Sequence, residues 1–225
     1  MPIATYRDLC IDAVDDAAIQ LFWADTLGLE PVPGDGGTLD LVGPTSQHRV
    51  WINRVPEPVT VKQRVHIDVH AGSVDEVLAR GATPVDLDTF RWKVLKDPEG
   101  GELCVFVRDE VPAYKLYELA VDSVDPPTIT TWWAEVLGAT AQHSDEQDWW
   151  WIEDAPGMPF EALVFAPVPE PKTVKNRIHW DIETTDVEGL LDRGATLVRG
   201  PDDDIDCYVL ADPEGNEFCA MRPRE

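Results

Sequence analysis

Basic residues are scarce in this sequence. Its 225 residues include 18 lysines and arginines against 43 aspartates and glutamates, which gives a formal net charge of −25. Nucleic acids and anionic lipid surfaces are bound mainly through lysine and arginine, which neutralise phosphate. A chain with this excess of acid repels both. We therefore expect no nucleic-acid partner and no membrane partner.

Paired cysteines and long apolar runs are also missing. Four cysteines, Cys10, Cys104, Cys207 and Cys219, form no C-x-x-C pair and no zinc-finger spacing. The first residues lack the basic start and apolar stretch of a signal peptide, and no apolar run reaches the length of a membrane span. These features predict a cytoplasmic protein whose cysteines are free thiols.

An internal duplication organises the chain. Three segments recur in the same order: Val55-Pro56-Glu57-Pro58 as Val168-Pro169-Glu170-Pro171, Arg80-Gly81-Ala82-Thr83 as Arg193-Gly194-Ala195-Thr196, and Asp97-Pro98-Glu99-Gly100 as Asp212-Pro213-Glu214-Gly215. Each segment recurs about half a chain length later, and this spacing predicts two similar domains in tandem. We place them at residues 1–110 and 111–225.

Each half divides again into two units of one plan. A strand comes first, an amphipathic helix follows, and short strands complete the unit. In the first unit Asp15 or Asp16 is expected to cap a helix that ends at Gly28. In the second unit Ser73 and Glu76 form a capping box. The pattern predicts an α+β fold with four such units.

One strand carries the residues most typical of a site. Residues 64–69 recur as 177–182, and both copies alternate apolar with polar side chains. Because successive side chains of a strand point to opposite faces, His66 shares a face with Asp68, and His179 shares one with Asp181. A histidine beside an aspartate in both halves suggests a lined cavity.

These residues resemble the vicinal oxygen chelate superfamily, which includes glyoxalase, bleomycin-resistance and extradiol-dioxygenase proteins. The marks are the helix ending Leu27-Gly28, the histidine strand after Pro-Glu-Pro, and the turn Asp212-Pro213-Glu214-Gly215. The resemblance implies four βαβββ units in two tandem domains, with mixed sheets curled into cups. It also implies a small-molecule ligand inside each cup, often on one divalent metal such as Mn, Fe, Ni or Zn.

The family's ligand positions can be transferred to this chain. The resemblance implies one set formed by Asp8, His66 and Glu102 and a second set formed by Glu118, His179 and Glu217. The first position is usually histidine in metal-dependent members, and here it is acidic. Trp51 and Asn53 stand where a fourth ligand would lie in one half, and Val164 and Ala166 stand there in the other. A four-ligand glyoxalase I site is therefore not expected.

Each candidate residue also has a purely structural interpretation. His66 and His179 are either metal ligands or general bases, or histidines held by Asp68 and Asp181 through hydrogen bonds. Cys104 and Cys219 share a strand face with the glutamates and are also typical small buried residues. Tryptophans belong mostly to cores, although some should face the cup, where a flat ligand could stack; the candidates are Trp51 and Trp150.

Three functions remain open from the sequence. The first is a metal-dependent lyase, isomerase or dioxygenase. The second is a metal-free protein that sequesters an aromatic natural product or antibiotic. The third is a scaffold kept for oligomerisation. With four units on one chain the cups can close within a monomer, and a homodimer is the alternative.

Overall fold

Four βαβββ units follow one another along the chain in the computed structural model, which describes residues 1–34, 39–146 and 148–223. Unit 1 contains β1 (Ala4–Ala13), α1 (Asp16–Leu27), β2 (Glu30–Pro33), β3 (Leu39–Val42) and β4 (Val50–Arg54). Unit 2 contains β5 (Val65–Ala71), α2 (Val74–Leu78), β6 (Thr83–Asp86), β7 (Lys93–Lys96) and β8 (Glu102–Val107). Unit 3 contains β9 (Leu116–Ser123), α3 (Pro126–Leu137), β10 (Thr140–Ser144), β11 (Trp149–Glu153) and β12 (Ala162–Pro167). Unit 4 contains β13 (Ile178–Thr184), α4 (Val187–Asp192), β14 (Thr196–Arg199), β15 (Tyr208–Ala211) and β16 (Glu217–Met221). The predicted fold class is confirmed.

The helix ends follow their sequence signals. The Asp15 side chain accepts a hydrogen bond from the backbone N–H of Ala18 and caps α1. Gly28 ends the helix in the left-handed conformation, with φ 71°, and a Cβ atom there would clash with the carbonyl oxygen of Ala113. Ser73 and Glu76 form the predicted capping box at α2. These local predictions are confirmed.

Each of the two sheets takes one unit from each half of the chain. Sheet I joins units 4 and 1 in the order β14-β15-β16-β13-β1-β4-β3-β2. Sheet II joins units 3 and 2 in the order β10-β11-β12-β9-β5-β8-β7-β6. The strands that join the units, β1 with β13 and β5 with β9, are antiparallel. Both sheets therefore form across the two sequence halves.

Sheet II is curled. Four strands separate β11 from β7 in its order, so a flat sheet would hold them ~24 Å apart. The rings of Trp149 on β11 and Trp92 beside β7 are nevertheless only 5.4 Å apart. The two arms of the sheet must bend toward each other to allow this contact. We call the concave side of sheet II cup II, and the equivalent polar face of sheet I cup I.

The hydrophobic core lies on the other faces of the sheets. Helices α1 and α3 each pack against strands of both sheets, so one continuous core joins the two halves. Trp133 of α3 is fully buried, and its ring lies 5.0 Å from that of Trp180 on β13. Among the described residues, no helix has the length and apolar character needed to cross a membrane.

Candidate functional site

Strand pairing decides which candidate residues meet. Asp8 lies opposite Asp181, and Cys10 lies opposite His179, in the register of β1 and β13. In sheet II, Glu118 lies opposite Asp68.

This pairing corrects the residue sets implied by the resemblance. Asp8 was expected with His66, and Glu118 with His179, because each cup was taken to form within one half of the sequence. The structure exchanges these partners, since units 1 and 4 share one sheet and units 2 and 3 share the other.

Cup II contains a compact group of three donor side chains. Nε2 of His66 lies 3.3 Å from Oδ1 of Asp68 and 3.5 Å from Sγ of Cys104. The ligand atoms of the three residues all lie within 4.8 Å of one another. Asp68 and Cys104 are buried, and His66 is mostly covered. The predicted residues His66, Asp68 and Cys104 are thus brought together.

Cup I contains the matching group with a different thiol. Nε2 of His179 lies 3.5 Å from Oδ1 of Asp181, whose Oδ2 accepts a hydrogen bond from Cys10 at 3.5 Å. These three residues again place their ligand atoms within 4.8 Å of one another. Cys219 does not belong to this group, although its Sγ lies 4.0 Å from Nε2 of His179. Cys10 was not among the predicted site residues, although its alternation with Asp8 along β1 could have indicated it.

The glutamates Glu102 and Glu217 lie outside both groups. The two compact groups found among the described residues include Cys104 and Cys10 but neither glutamate. Glu217 instead accepts hydrogen bonds from Nζ of Lys172 at 2.7 Å and from the backbone N–H of Asn176 at 3.1 Å. Two residues along a strand span ~6.6 Å, so each glutamate is displaced by that distance from the thiol on its strand.

A pair of carboxyl groups adjoins each histidine. Glu118 is hydrogen-bonded to Asp68, and burial together with the charge of Asp68 raises the pKa of Glu118 to about 9. Asp181 is hydrogen-bonded to Asp8, and burial followed by the charge of Asp8 raises the pKa of Asp181 well above its usual range. Two adjacent buried carboxylates cannot both ionise readily, so each pair holds one proton at neutral pH.

The two histidines differ in basicity. Burial lowers the pKa of His179 to about 4 despite the charge of Asp12. Burial also disfavours the charged form of His66, but the negative charge of Asp68 beside it outweighs burial, so the pKa of His66 is raised. The difference follows from the neighbouring charges, because Asp68 favours the protonated form of His66, whereas Lys175 disfavours the protonated form of His179.

Aromatic side chains cover cup II. The ring of Trp92 lies 4.9 Å from Phe90, 5.7 Å from Phe106 and 5.4 Å from Trp149. Phe106 in turn contacts Tyr117 at 4.9 Å, and the Arg108 guanidinium lies over both rings at 5.4 Å. We call these five rings the aromatic cluster; its members are Phe90, Trp92, Phe106, Tyr117 and Trp149.

Trp150 takes no part in the aromatic cluster. It stacks on His143, with ring centroids 4.1 Å apart. By strand alternation Trp150 shares a face with the buried Ile152, which belongs to the core side of sheet II. Trp149, its neighbour, lies on the opposite face and contacts Trp92 of the aromatic cluster.

Cup I has a cationic entrance. The pairing register of β1 and β13 shifts at Arg7, which forms a β-bulge. At this bulge the side chain of Arg7 lies close to that of Asp8, with Nε 3.6 Å from Oδ2. Arg49 lies over the Trp51 ring at 4.7 Å. Arg7, Arg49 and Trp51 line one cavity of about 550 Å³. The predicted residue Trp51 therefore stands at the entrance of cup I.

The two donor groups fit a divalent transition metal. Each offers an imidazole nitrogen, a carboxylate oxygen and a thiol sulfur, a mixed set suited to zinc or iron rather than magnesium or calcium. Oδ1 of Asp68 and Oδ1 of Asp181 are buried and face a histidine nitrogen without hydrogen-bond geometry. In each cup, a metal ion bound between the aspartate oxygen and the histidine nitrogen would give both atoms a partner.

Paired βαβββ units with donor side chains on the central strands of curled sheets define one class of protein. The sequence matches the family profile described as a glyoxalase-like domain twice, over residues 8–106 and 118–221. The chain therefore belongs to the glyoxalase-like domain family.

Several solved structures share the fold. Glyoxalase I from Zea mays has a TM-score of 0.64 at 14% identity, covering 97% of this chain and 92% of that chain. A candidate dioxygenase from Bacillus subtilis has a TM-score of 0.64 at 12% identity, covering 99% and 86%. The cppA protein from Streptococcus pneumoniae has a TM-score of 0.52 at 10% identity, covering 98% and 99%. No curated protein matched the sequence.

Proposed function

We propose that the protein binds one divalent transition metal in each cup and there binds a small oxygen-bearing molecule. The observation that supports this most directly is the repeated convergence of imidazole, carboxylate and thiol atoms within 4.8 Å. His66, Asp68 and Cys104 are the ligands in cup II, and His179, Asp181 and Cys10 are the ligands in cup I. Three protein ligands leave positions open for substrate, as in catalytic metal sites.

The residues around each group assign chemical roles. A bound divalent ion supplies Lewis acidity to a substrate oxygen. Glu118, which holds a proton beside Asp68, is placed to protonate that oxygen in cup II. Asp8 and Asp181 hold the corresponding proton in cup I. This arrangement suits a lyase, an isomerase or a dioxygenase, and it lacks the carboxylate of a four-ligand glyoxalase I site.

The entrances point to different substrates. The aromatic cluster of cup II suits a planar or apolar ligand, whereas Arg7 and Arg49 at cup I suit an anionic one. Both cups form within a single chain, so a monomer suffices for activity. We place the protein in the reducing cytoplasm, where free thiols persist.

Metal content tests this function. Protein purified without chelator or affinity tag, then reloaded with zinc or iron, is expected to contain about two ions per chain by mass spectrometry. His66→Ala and His179→Ala should each remove one ion, and the double variant should remove both. His143→Ala provides the matched control, because His143 stacks on Trp150 outside both cups. Absence of metal after reloading, or equal loss in the control, would overturn the proposal.

A second candidate function is metal-free sequestration of an aromatic molecule in cup II. The aromatic cluster supports it, because successive ring contacts of 4.9–5.7 Å form a wall on which a flat ligand can stack. In chelator-treated protein, 1-naphthol is expected to quench tryptophan fluorescence saturably. Trp92→Leu should weaken binding at least ~5-fold, since aromatic stacking contributes ~1 kcal/mol beyond area burial. Trp150→Leu, on the opposite face, should bind as the unaltered protein does. Equal weakening in both variants would reject the site.

A further inference from the structure

Cup I contains a close pair of thiols. Sγ of Cys207 lies 3.2 Å from Sγ of Cys219. Cys219 belongs to β16, and Cys207 directly precedes the neighbouring antiparallel strand β15. Cys219 also faces the site, with its sulfur 4.0 Å from Nε2 of His179. The pair therefore connects the edge of cup I with its donor group.

Cup II lacks the second thiol. Cys104 occupies on β8 the position that Cys219 occupies on β16. Trp92, which directly precedes β7, stands where Cys207 stands before β15. Within the repeat, Cys104 is thus a natural control for Cys219, since it has a similar place beside a histidine but no thiol neighbour in the equivalent position.

We propose that Cys207 and Cys219 form a reversible disulfide when the protein meets a peroxide. The sulfur atoms are in van der Waals contact and need to approach by only ~1.2 Å to reach the length of a disulfide bond. Cys207 ends a segment, residues 200–207, that belongs to neither a helix nor a strand. This segment can shift without breaking sheet hydrogen bonds.

The reaction balances with hydrogen peroxide as the oxidant. Peroxide oxidises one thiol to a sulfenic acid and is reduced to water. The second sulfur then attacks the sulfenic sulfur, forms the S–S bond and releases a second water molecule. A small dithiol reductant reverses the change by thiol–disulfide exchange.

Closure of the disulfide alters cup I alone. It turns Sγ of Cys219 from His179 toward Cys207 and draws residues 200–207 toward β16. This part of the inference rests on the proposed metal function: formation of the disulfide changes metal binding in cup I and leaves metal binding in cup II unchanged. The disulfide itself does not depend on that function, so the two can be tested separately.

Peptide mapping of the unaltered protein tests the disulfide. The protein is treated with a small excess of hydrogen peroxide, denatured, alkylated with iodoacetamide and digested with trypsin. No lysine or arginine lies between Cys207 and Cys219, so one peptide beginning at Gly200 contains both. We expect this peptide to be unalkylated and about 2 Da lighter than its reduced form, the mass of two hydrogens. Dithiothreitol should restore both thiols.

The other cysteines distinguish the alternatives. Cys10 lies in the peptide 8–49 and Cys104 in the peptide 97–108, and both should be fully alkylated. Cys207→Ser should abolish the mass loss, whereas Cys104→Ser should retain it. Alkylation of both thiols after peroxide, or a cross-linked peptide joining Cys10 to Cys219, would overturn the proposal even if a variant failed to fold.

Discussion

Glu118 and Asp68 face each other across β9 and β5, and their carboxyl groups hold one proton between them. Loss of that proton at high pH destabilises the folded, metal-free protein, because two neighbouring carboxylates then repel each other. A metal ion coordinated by Asp68 would reduce this repulsion, and its binding would release protons. The pair thereby connects metal binding to pH.

Glu118→Gln should make the metal-free protein less sensitive to pH. The pKa of Glu118 is about 9 in the folded protein, against an ordinary value of 4.5. The folded state therefore retains a proton that the unfolded chain releases, and stability falls as pH rises from about 4.5 to about 9. Thermal unfolding of chelator-treated protein at pH 8 should show Glu118→Gln stabilised by at least ~1 kcal/mol, since one unit of pKa shift corresponds to ~1.4 kcal/mol.

Glu110→Gln is the control for this measurement, because Glu110 is exposed. Its unfolding midpoint should follow that of the unaltered protein at each pH. A Glu118→Gln variant with the same pH slope as the control would show that the shared proton contributes nothing to stability.

At this scale the sequence placed each histidine beside its aspartate but did not show which thiol lies next to them. Strand alternation was enough to place His66 with Asp68, since both lie on one strand. It could not decide between Glu102 and Cys104, which lie on the same face of β8, because the position along the strand depends on the neighbouring strand's register. Cys10 enters the site only through pairing with β13, a contact over about 170 residues that no local pattern reveals.

At the scale of elements, the repeated Asp-Pro-Glu-Gly turns connect the two sheets. Asp97 accepts hydrogen bonds from the backbone of its own turn. Glu99 reaches out of the turn, where its carboxylate accepts hydrogen bonds from the backbone N–H groups of Val14 and Asp15, at the start of α1. Glu214 does the same for Val124 and Asp125 at α3. Each turn thus provides a hydrogen-bond acceptor for backbone N–H groups at the start of a helix, and that helix lies in a unit of the other sheet.

Removing these glutamates should destabilise the protein by a predictable amount. Glu99→Ala and Glu214→Ala each leave two helix-start N–H groups without their carboxylate, so we expect a loss of ~1–2 kcal/mol per variant. The two losses should add in the double variant, because the sites are separate. Urea unfolding measures them, and Glu57→Ala, at an exposed position, is the control. Losses no larger than the control's would contradict the capping role.

At the scale of the whole molecule, the repeat predicted the units but not their partners. Motifs that recur once in each half, together with the strand–helix–strands plan within each half, predict the four βαβββ units. They leave open whether unit 1 pairs with unit 2 or with unit 4, because the first strands of all units present similar faces. The structure pairs the first with the fourth and the second with the third, so the two halves interlock.

Separated halves should therefore not fold as native monomers. Fragments 1–110 and 111–225, cut at the predicted boundary, each lack the antiparallel partners of their first strands. We expect neither fragment alone to be a monomer with cooperative unfolding, and an equimolar mixture to form a one-to-one complex. Size-exclusion chromatography with light scattering and near-ultraviolet circular dichroism measure this. A monomeric fragment 1–110 that unfolds cooperatively would contradict the interlocked arrangement and support autonomous halves.

In the sequence, the strands of sheet II lie between the two groups of strands that form sheet I. This order constrains how the chain folds during synthesis on the ribosome. Sheet II is contiguous in sequence and has all its strands once Pro167 has emerged. Strands β1 to β4, although synthesised first, must wait for β13 to β16 before sheet I can close. During that interval β1 offers an unpaired edge to other nascent chains. Unit 1 is synthesised before the other three units and is thus among the last to reach its native partner.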